Sequence, residues 1–316
     1  MYDSNSKGIS YTAGFFILIA FAVGGLIIGI LISIPIWTGM TGTDVFEMSR
    51  ANPAYSKAFK VVQAISAVIG FFIPALVTAS LLNRKPYRLL GFTRKINGWQ
   101  VLLVIAIMFL ALYVSGSLGD LNQKMPIPAS WKIIFDKLEN DYNKQVEAIM
   151  QLKSSGDYIL GLFIMAFLPA LCEETLFRGG LQNFLTRSTR IPWLSVLIVS
   201  VIFSVVHFSY YGFLPRMFLG VILGLIFYFT GSLWLCVLAH FFNNALAVTQ
   251  LYYFMRHGKS IKEAAEQTTP AYLGIIAIPV VILLLILLKK ISPPQRQEQE
   301  LSIHDIRDKV PWEINH

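Results

Sequence analysis

The sequence predicts an all-α membrane protein: a polytopic bundle of about eight transmembrane helices, with an added amphipathic helix in the third connection. Hydrophobic residues make up 55% of the 316 residues and charged residues only 14%, against roughly 45–50% and about 25% in soluble domains. Several apolar runs approach or exceed the ~18 residues that suit a spanning helix. They are separated by polar breaks and do not alternate every second residue, which favours helices over barrel strands.

Eight runs have the length and hydropathy of membrane spans. They cover approximately residues 11–37, 59–82, 99–118, 157–177, 191–208, 214–230, 232–251 and 271–290. The fourth is expected to continue as a helix towards Thr186. The first has no clear signal-peptide cleavage site and is expected to stay as a helix. Residues 1–291 are therefore predicted to form one integral membrane domain, and residues 292–316 a polar tail.

The net charge of +8 comes from short basic clusters between apolar runs. No basic stripe with interleaved aromatic residues is present, which argues against a nucleic-acid partner. Such clusters mark cytoplasmic connections. They follow the second, fourth and last spans: Arg84, Lys85, Arg88, Arg94, Lys95, Arg187, Arg190, Lys289, Lys290 and Arg296. An even number of spans puts these ends on one side of the bilayer, so both termini are predicted to be cytoplasmic.

The third connection contains apolar residues at helical spacing between lysines and acids: Trp131, Ile134, Phe135, Leu138, Tyr142, Val146 and Ile149. This pattern predicts an amphipathic helix that lies on the outer membrane surface or caps the bundle. A plain connecting helix without a role in substrate access is the alternative.

Two adjacent acids and an arginine follow the fourth apolar run. Because ionisable groups at membrane depth are costly, they must be paired or used for chemistry. Glu174 and Arg178 are four residues apart and share a helix face, so they are expected to pair. Glu173 lies about 100° round the helix and is left available. An ordinary interfacial charge group is the simpler interpretation of this cluster taken alone.

Two further polar groups lie on later spans. Phe203 and His207 are four residues apart near the end of the fifth span, and His240 and Asn244 are four apart on the seventh, with Asn243 one step round. So many hydrogen-bonding side chains in an apolar helix must face the bundle interior, as interhelical contacts or as a site. Counted from the turn near residue 189, Glu173 and His207 come out at similar depths, ~22 and ~25 Å.

A carboxylate, two imidazoles and a carboxamide that meet in an enclosed site suit hydrolysis. Glu173 could accept a proton from water, His207 could orient that water, and His240 with Asn244 could donate hydrogen bonds to the oxyanion of a tetrahedral intermediate. No cofactor is needed in this scheme.

The three motifs, Glu-Glu-x-x-x-Arg from Glu173, Phe-x-x-x-His from Phe203 and His-x-x-x-Asn from His240, resemble those of the CPBP family, which includes the CAAX prenyl endopeptidases. The resemblance implies an intramembrane endopeptidase with Glu173 and His207 activating water and His240 and Asn244 stabilising the oxyanion. It also implies a membrane-associated, and in some members prenylated, peptide or protein as substrate. Family members are described as glutamate proteases and as metalloproteases. Zinc remains an alternative, for which Glu173, Glu174, His207 and His240 could supply ligands.

Two other functions use the same residues. A non-proteolytic immunity or scaffold protein would keep the polar cluster to bind a peptide partner without turnover. A transporter would use acids and histidines as a proton relay, but it predicts broken helices in paired halves, and no inverted repeat is visible in the sequence.

Overall fold

In a computed structural model, the described residues are 5–258 and 270–292, and within them the chain is an all-α bundle without a β-strand. The predicted fold class is confirmed. The main helices are α1 Tyr11–Thr41, α2 Pro53–Leu82, α3 Gly98–Lys124, α4 Ala129–Ile149, α5 Ser155–Thr189, α6 Pro192–Val205, α7 Phe213–Thr230, α8 Leu233–Arg256 and α9 Ala271–Ile291. Of the predicted polar tail, residues 293–316 lie outside the described residues.

Among the described residues, seven helices are long and apolar enough to cross a membrane. The remaining apolar helix, α6, was predicted to span from 191 to 208, but it has only 14 residues. It is ~21 Å long, short of the ~30 Å hydrocarbon core. It ends early because Phe208 adopts a left-handed φ of +51°, which a right-handed helix cannot contain. The loop 206–212 then leads into α7.

The long helix α5 runs through 35 residues, which confirms the predicted continuation past Thr186. Two stretches of it are wider π-helix, Leu162–Phe167 and Thr175–Gln182. Such stretches are frequent at functional sites, and the second begins directly after Glu174. Residues 174–184 are all buried, so α5 lies at the centre of the bundle with its charged segment inside.

One end of the bundle, here called the basic end, consists of residues 5–11, 82–98, 187–193, 230–234 and 289–292. Hydrogen bonds between chain segments hold it together: Lys7 N to Leu82 O at 2.9 Å, Asn183 Nδ2 to Leu89 O at 2.7 Å, Leu233 N to Gly91 O at 3.1 Å and Gln100 Nε2 to Ser292 Oγ at 3.0 Å. Arg187 joins this end through a hydrogen bond from its Nη1 to the Tyr11 hydroxyl at 3.5 Å, so the described parts of the basic clusters lie at one end of the bundle.

Helices α6 and α7 approach closely because Gly220 has no side chain. A Cβ atom there would lie 2.9 Å from Ser200 Cβ, closer than side chains tolerate, and small residues are the usual way for membrane helices to come together. The buried Gly220 carbonyl accepts a hydrogen bond from Arg178 Nη2 at 3.2 Å. Close packing of two helices thus provides a backbone partner for a buried charge on a third.

The predicted amphipathic helix is present as α4, and it packs on the loop 206–212. Phe135 stacks on Tyr210 with ring centroids 4.5 Å apart. Ser209 Oγ donates to Glu139 at 2.7 Å, and the Tyr211 hydroxyl donates to Asp136. Because these contacts are specific, α4 packs over the end of the shortened helix α6. It is therefore more than a helix that only connects α3 to α5.

The hydrogen bond from Tyr211 and the neighbouring Lys132 hold the pKa of Asp136 below its usual value. A carboxyl group with a lowered pKa stabilises the docked state above its ordinary pKa, and this contribution is lost as the pH falls through the lowered value. We expect Tyr211→Phe to speed backbone hydrogen exchange in α4 several-fold at neutral pH, with a difference that shrinks on acidification. The exposed Tyr272→Phe serves as the control. Equal exchange in wild type and Tyr211→Phe would show that this bond does not hold α4.

Candidate active site

The predicted ion pair between Glu174 and Arg178 is present in the centre of the bundle. Arg178 Nη1 donates to Glu174 Oε1 at 2.8 Å, and both side chains are almost completely buried. The guanidinium also lies 4.6 Å from the centre of the Phe203 ring, within the range of a cation–π contact. Arg178 is therefore held by a carboxylate, a backbone carbonyl and an aromatic face.

Glu174 has a second partner, which the spacing of the motifs did not predict. His240 Nδ1 lies 2.8 Å from the same Oε1 atom that accepts from Arg178. A carboxylate oxygen that already accepts from a guanidinium is an acceptor, so the His240 Nδ1 carries hydrogen in this contact. The bond joins α5 to α8 and fixes the orientation of the imidazole. Its other nitrogen, Nε2, then points to the acid next to Glu174.

Both adjacent acids have an unsatisfied Oε2 atom, but only the Glu173 side chain is partly open to solvent. Its Oε2 atom lies 4.0 Å from His240 Nε2 and, within residues 5–258 and 270–292, has no hydrogen-bond partner although the atom is buried. The side chain is 15% exposed, against 0% for Glu174. Buried polar atoms are normally satisfied, so an unsatisfied carboxylate oxygen indicates a place for water or for a substrate group.

His207 lies in the loop just past α6, and the bond that it makes sets its tautomer. Its Nδ1 is 2.6 Å from the Phe203 carbonyl oxygen, and since a carbonyl only accepts, Nδ1 is the donor. In the neutral ring Nε2 is then a free base. The Phe203 ring contacts both imidazoles, with centroids 4.9 Å from His207 and 5.8 Å from His240. Glu173 lies within electrostatic range of His207, so the three sequence motifs do come together.

The two asparagines of α8 form a bond with each other. Asn243 Nδ2 donates to Asn244 Oδ1 at 3.2 Å, and both side chains are half-buried. This bond uses the carbonyl oxygen of Asn244 and leaves its NH₂ group to donate elsewhere. Asn244 lies one helical turn beyond His240 on the same face. Asn243 thus holds the side chain of Asn244 in place.

Arg216, in the first turn of α7, also lies near the site, although none of the three sequence motifs includes it. Its Nη1 atom is buried and has no hydrogen-bond partner among the described residues, and its guanidinium carbon lies 5.3 Å from the ring centre of Tyr142 on α4. It is within electrostatic range of His207. The available signal was a lone cation in an apolar helix, which marks a functional position by default. Arg216 links the α4 cap to the site.

The four zinc-ligand candidates are not arranged to hold a metal ion. In the described part of the chain, no group of three or more His, Cys, Asp or Glu side chains is placed to bind one. Glu174 Oε1 already accepts from Arg178 and His240, and a guanidinium at that distance repels a second cation. The Nδ1 atoms of both histidines make hydrogen bonds, which leaves their Nε2 atoms available. Of the four candidates, Glu174 is therefore the one least able to bind a metal ion.

Fold and site together define an integral membrane protein with a buried carboxylate–imidazole centre built on α5, α8 and the loop after α6. Residues 155–246 match the family model described as type II CAAX prenyl endopeptidase Rce1-like. The matched segment contains every residue of the site, from Glu173 to Asn244, and it confirms the family resemblance that the three motifs indicate. This match supports a CAAX-type endopeptidase at the level of the family. No curated protein and no solved structure matches the chain.

Proposed function

We propose that this protein is an intramembrane endopeptidase that hydrolyses a peptide bond of a membrane-associated, in some cases prenylated, peptide or protein by means of water activated by Glu173. The observation that carries the proposal is the unsatisfied Oε2 atom of Glu173, buried beside His240 and next to a second acid whose Oε1 is fully engaged. Both acids have an unsatisfied Oε2 atom, but Glu174 is fully buried and held through its Oε1, whereas the Glu173 side chain is 15% exposed and makes no hydrogen bond to a described residue.

In the first step, water bound between Glu173 and His207 attacks the substrate carbonyl carbon. The Glu173 carboxylate takes one water proton as the new carbon–oxygen bond forms, and the free Nε2 of His207 accepts a hydrogen bond from the other, which orients the water. A tetrahedral intermediate results, with negative charge on the former carbonyl oxygen. Glu173 then returns its proton to the leaving nitrogen, the carbon–nitrogen bond breaks, and the carboxylate is regenerated.

The negative charge of the intermediate requires hydrogen-bond donors. The Asn244 amide supplies one through its unused NH₂ group. His240 supplies the other when Nε2 is protonated, and the Glu174 carboxylate on its Nδ1 stabilises that imidazolium, as a buried carboxylate does behind other catalytic histidines. Glu174 thus acts as a positioning residue for His240, with Arg178 holding it in place. Donors of this kind are set before the charge develops, which is why they accelerate the reaction.

The proposed substrate lies in the bilayer, and the site sits beside the end of the short helix α6, beneath α4. No described residue identifies a prenyl group, so the proposal concerns a peptide bond presented at or within the membrane. Because lysines and arginines favour the cytoplasmic side, the basic end is the expected cytoplasmic end. The loop 206–212 and α4 then face the other side.

The decisive experiment uses purified wild type, Asn244→Ala and His240→Ala on a panel of membrane-anchored peptides, each with and without a chelator. We expect Asn244→Ala to lower the chemical rate by ~10²–10³ with nearly unchanged substrate affinity, because its bond forms fully only in the transition state. The chelator is expected to have no effect on wild type. The matched control is Asn143→Ala on the exposed face of α4.

Two results would contradict the proposal in different ways. An Asn244→Ala enzyme whose only defect is weaker substrate binding has lost a contact made in the ground state, which rules out oxyanion support. The second result is that the purified wild type carries stoichiometric metal and becomes inactive when the chelator removes it. If His240→Ala also lacks the metal while Asn244→Ala retains it, the protein is a metalloenzyme. A wild type that binds the peptides tightly and cleaves none of them is a binding protein.

A further inference from the structure

The basic end of the bundle is unusual in carrying charge of one sign. Its segments contain no Asp or Glu between residues 5–11, 82–98, 187–193, 230–234 and 289–292. Their basic residues are Lys7, Arg84, Lys85, Arg88, Arg94, Lys95, Arg187, Arg190, Lys289 and Lys290. No ion pair within the described ranges involves the side chains of Arg84, Lys85 or Arg88. Their charges therefore remain uncompensated by the part of the protein that the structure describes.

A cavity opens among these three cations. It has a volume of about 580 Å³ and is lined by Arg84, Lys85, Pro86, Tyr87, Arg88 and Thr93. It is an open surface cavity, accessible from outside the bundle. Three cations around one cavity, with no acid among the lining residues, fit an anion with several oxygens, and arginine in particular matches phosphate by paired hydrogen bonds.

The backbone around the cavity is held in place before any ligand binds. Arg84 N donates to Asn5 O at 2.9 Å, and Lys85 N donates to Asn83 Oδ1 at 2.8 Å. On the other side, Asn183 of α5 donates to the Leu89 carbonyl at 2.7 Å. A preorganised segment loses little conformational entropy when it binds a ligand. The backbone that carries Arg84, Lys85 and Arg88 is therefore held in place by hydrogen bonds to neighbouring segments.

A ring of exposed aromatic side chains places this cavity at the membrane surface. Trp99, Trp193 and Trp234 are each the second residue of a helix that begins at the basic end, and they are 73%, 60% and 41% exposed. Tyr87, in the wall of the cavity, is 53% exposed. Tryptophan and tyrosine concentrate at the level of lipid headgroups. This preference favours a position of the cavity at the level of the headgroup phosphates.

From these observations we infer that Arg84, Lys85 and Arg88 bind the phosphate of an anionic phospholipid headgroup. The cations supply charge and hydrogen bonds to the phosphate, while Tyr87 and the tryptophans position the site at headgroup depth. Basic pockets between membrane helices on the cytoplasmic side recognise anionic headgroups in the same way. The site is separate from the proposed peptidase centre, and it does not require that centre to be active.

Native mass spectrometry of the full-length protein in nonionic detergent tests this inference, with phosphatidylglycerol and phosphatidylcholine as probes. We expect phosphatidylglycerol to bind the wild type in preference to phosphatidylcholine. The triple variant Arg84→Gln/Lys85→Gln/Arg88→Gln is expected to bind phosphatidylglycerol about 10- to 100-fold more weakly, since each basic residue contributes separately to headgroup attraction. The matched control Lys137→Gln/Lys144→Gln/Lys153→Gln removes three positive charges at or beside α4 and is expected to bind like the wild type.

A conservative variant, Arg84→Lys/Arg88→Lys, keeps the charge and is expected to retain most of the preference, which separates headgroup binding from misfolding of the triple variant. Equal phosphatidylglycerol binding by wild type and triple variant, with both folded, would overturn the inference. Equal binding of the two lipids by the wild type would do the same. Full displacement of phosphatidylglycerol by millimolar inorganic phosphate would assign the cavity to free phosphate instead of lipid.

Discussion

The variant Glu173→Gln is expected to lose cleavage of a membrane-anchored peptide by ~10²–10⁴ or more while still inserting and folding, because a carboxamide keeps the shape of the side chain but cannot take a proton from water. Its Oε2 atom has no hydrogen-bond partner in the described residues, so no protein contact is lost there. Single-turnover rates on a substrate that the wild type cleaves give the measurement.

The control for this prediction is Glu147→Gln, an exposed acid on α4, which should cleave at the wild-type rate. Thermal unfolding in detergent should give closely similar midpoints for the wild type and both variants. Turnover by Glu173→Gln close to that of wild type would remove Glu173 from the reaction. Loss of activity together with a large drop in the unfolding midpoint would instead assign it a structural role.

Arg178→Met is expected to be the most damaging single change to stability, at a cost of ~3–5 kcal/mol, because it leaves the Glu174 carboxylate buried without its cation. Arg178 and Glu174 side chains are only 1% and 0% exposed, so solvent cannot compensate for the loss. The double variant Glu174→Gln/Arg178→Met should be more stable than the single one. It removes the stranded charge, and the glutamine oxygen still accepts the hydrogen bond from His240.

The comparison is made by folded yield and by unfolding in detergent, with the exposed Arg190→Met as the control. Equal stability of the single and double variants would mean that water or another group reaches Glu174 when Arg178 is absent. The double variant should still be impaired in catalysis, since a neutral amide stabilises the His240 imidazolium less than a carboxylate does.

The sequence predicted local features of the site well and distant ones poorly. The Glu174–Arg178 ion pair was predicted because the two residues are four apart on one helix. The length of α5 was predicted because its helical pattern of apolar residues continues beyond the charged residues. The bond from His240 to Glu174 joins residues 66 apart. It depends on the relative depth and rotation of α5 and α8, which hydropathy does not encode. Arg216 was missed for a similar reason, because its neighbours Tyr142 and His207 come from other segments.

The end of α6 shows another limit of sequence reasoning. Val205, Val206 and Phe208 continue the apolar run, so hydropathy extends the span to residue 208. The helix stops at Val205 because the backbone turns into the left-handed region at Phe208, where a non-glycine residue is disfavoured. Contacts of the following residues with α4 stabilise that turn. Tertiary structure therefore decided where the helix ended.

The arrangement of charges within α5 bears on how the chain is synthesised. Helices enter the bilayer in order, and α8 is made after α5, so α5 must tolerate the membrane before His240 is present. Since Arg178 and Glu174 lie one turn apart in the same helix, they can neutralise each other as soon as that turn forms, which lowers the insertion cost of each charge. Glu173 has no such partner within α5 and comes next to an imidazole only when His207 and His240 have been added. When α8 packs against α5, it completes the site and buries Glu173 beside His240. The catalytic arrangement therefore forms in the same step as the packing of α8.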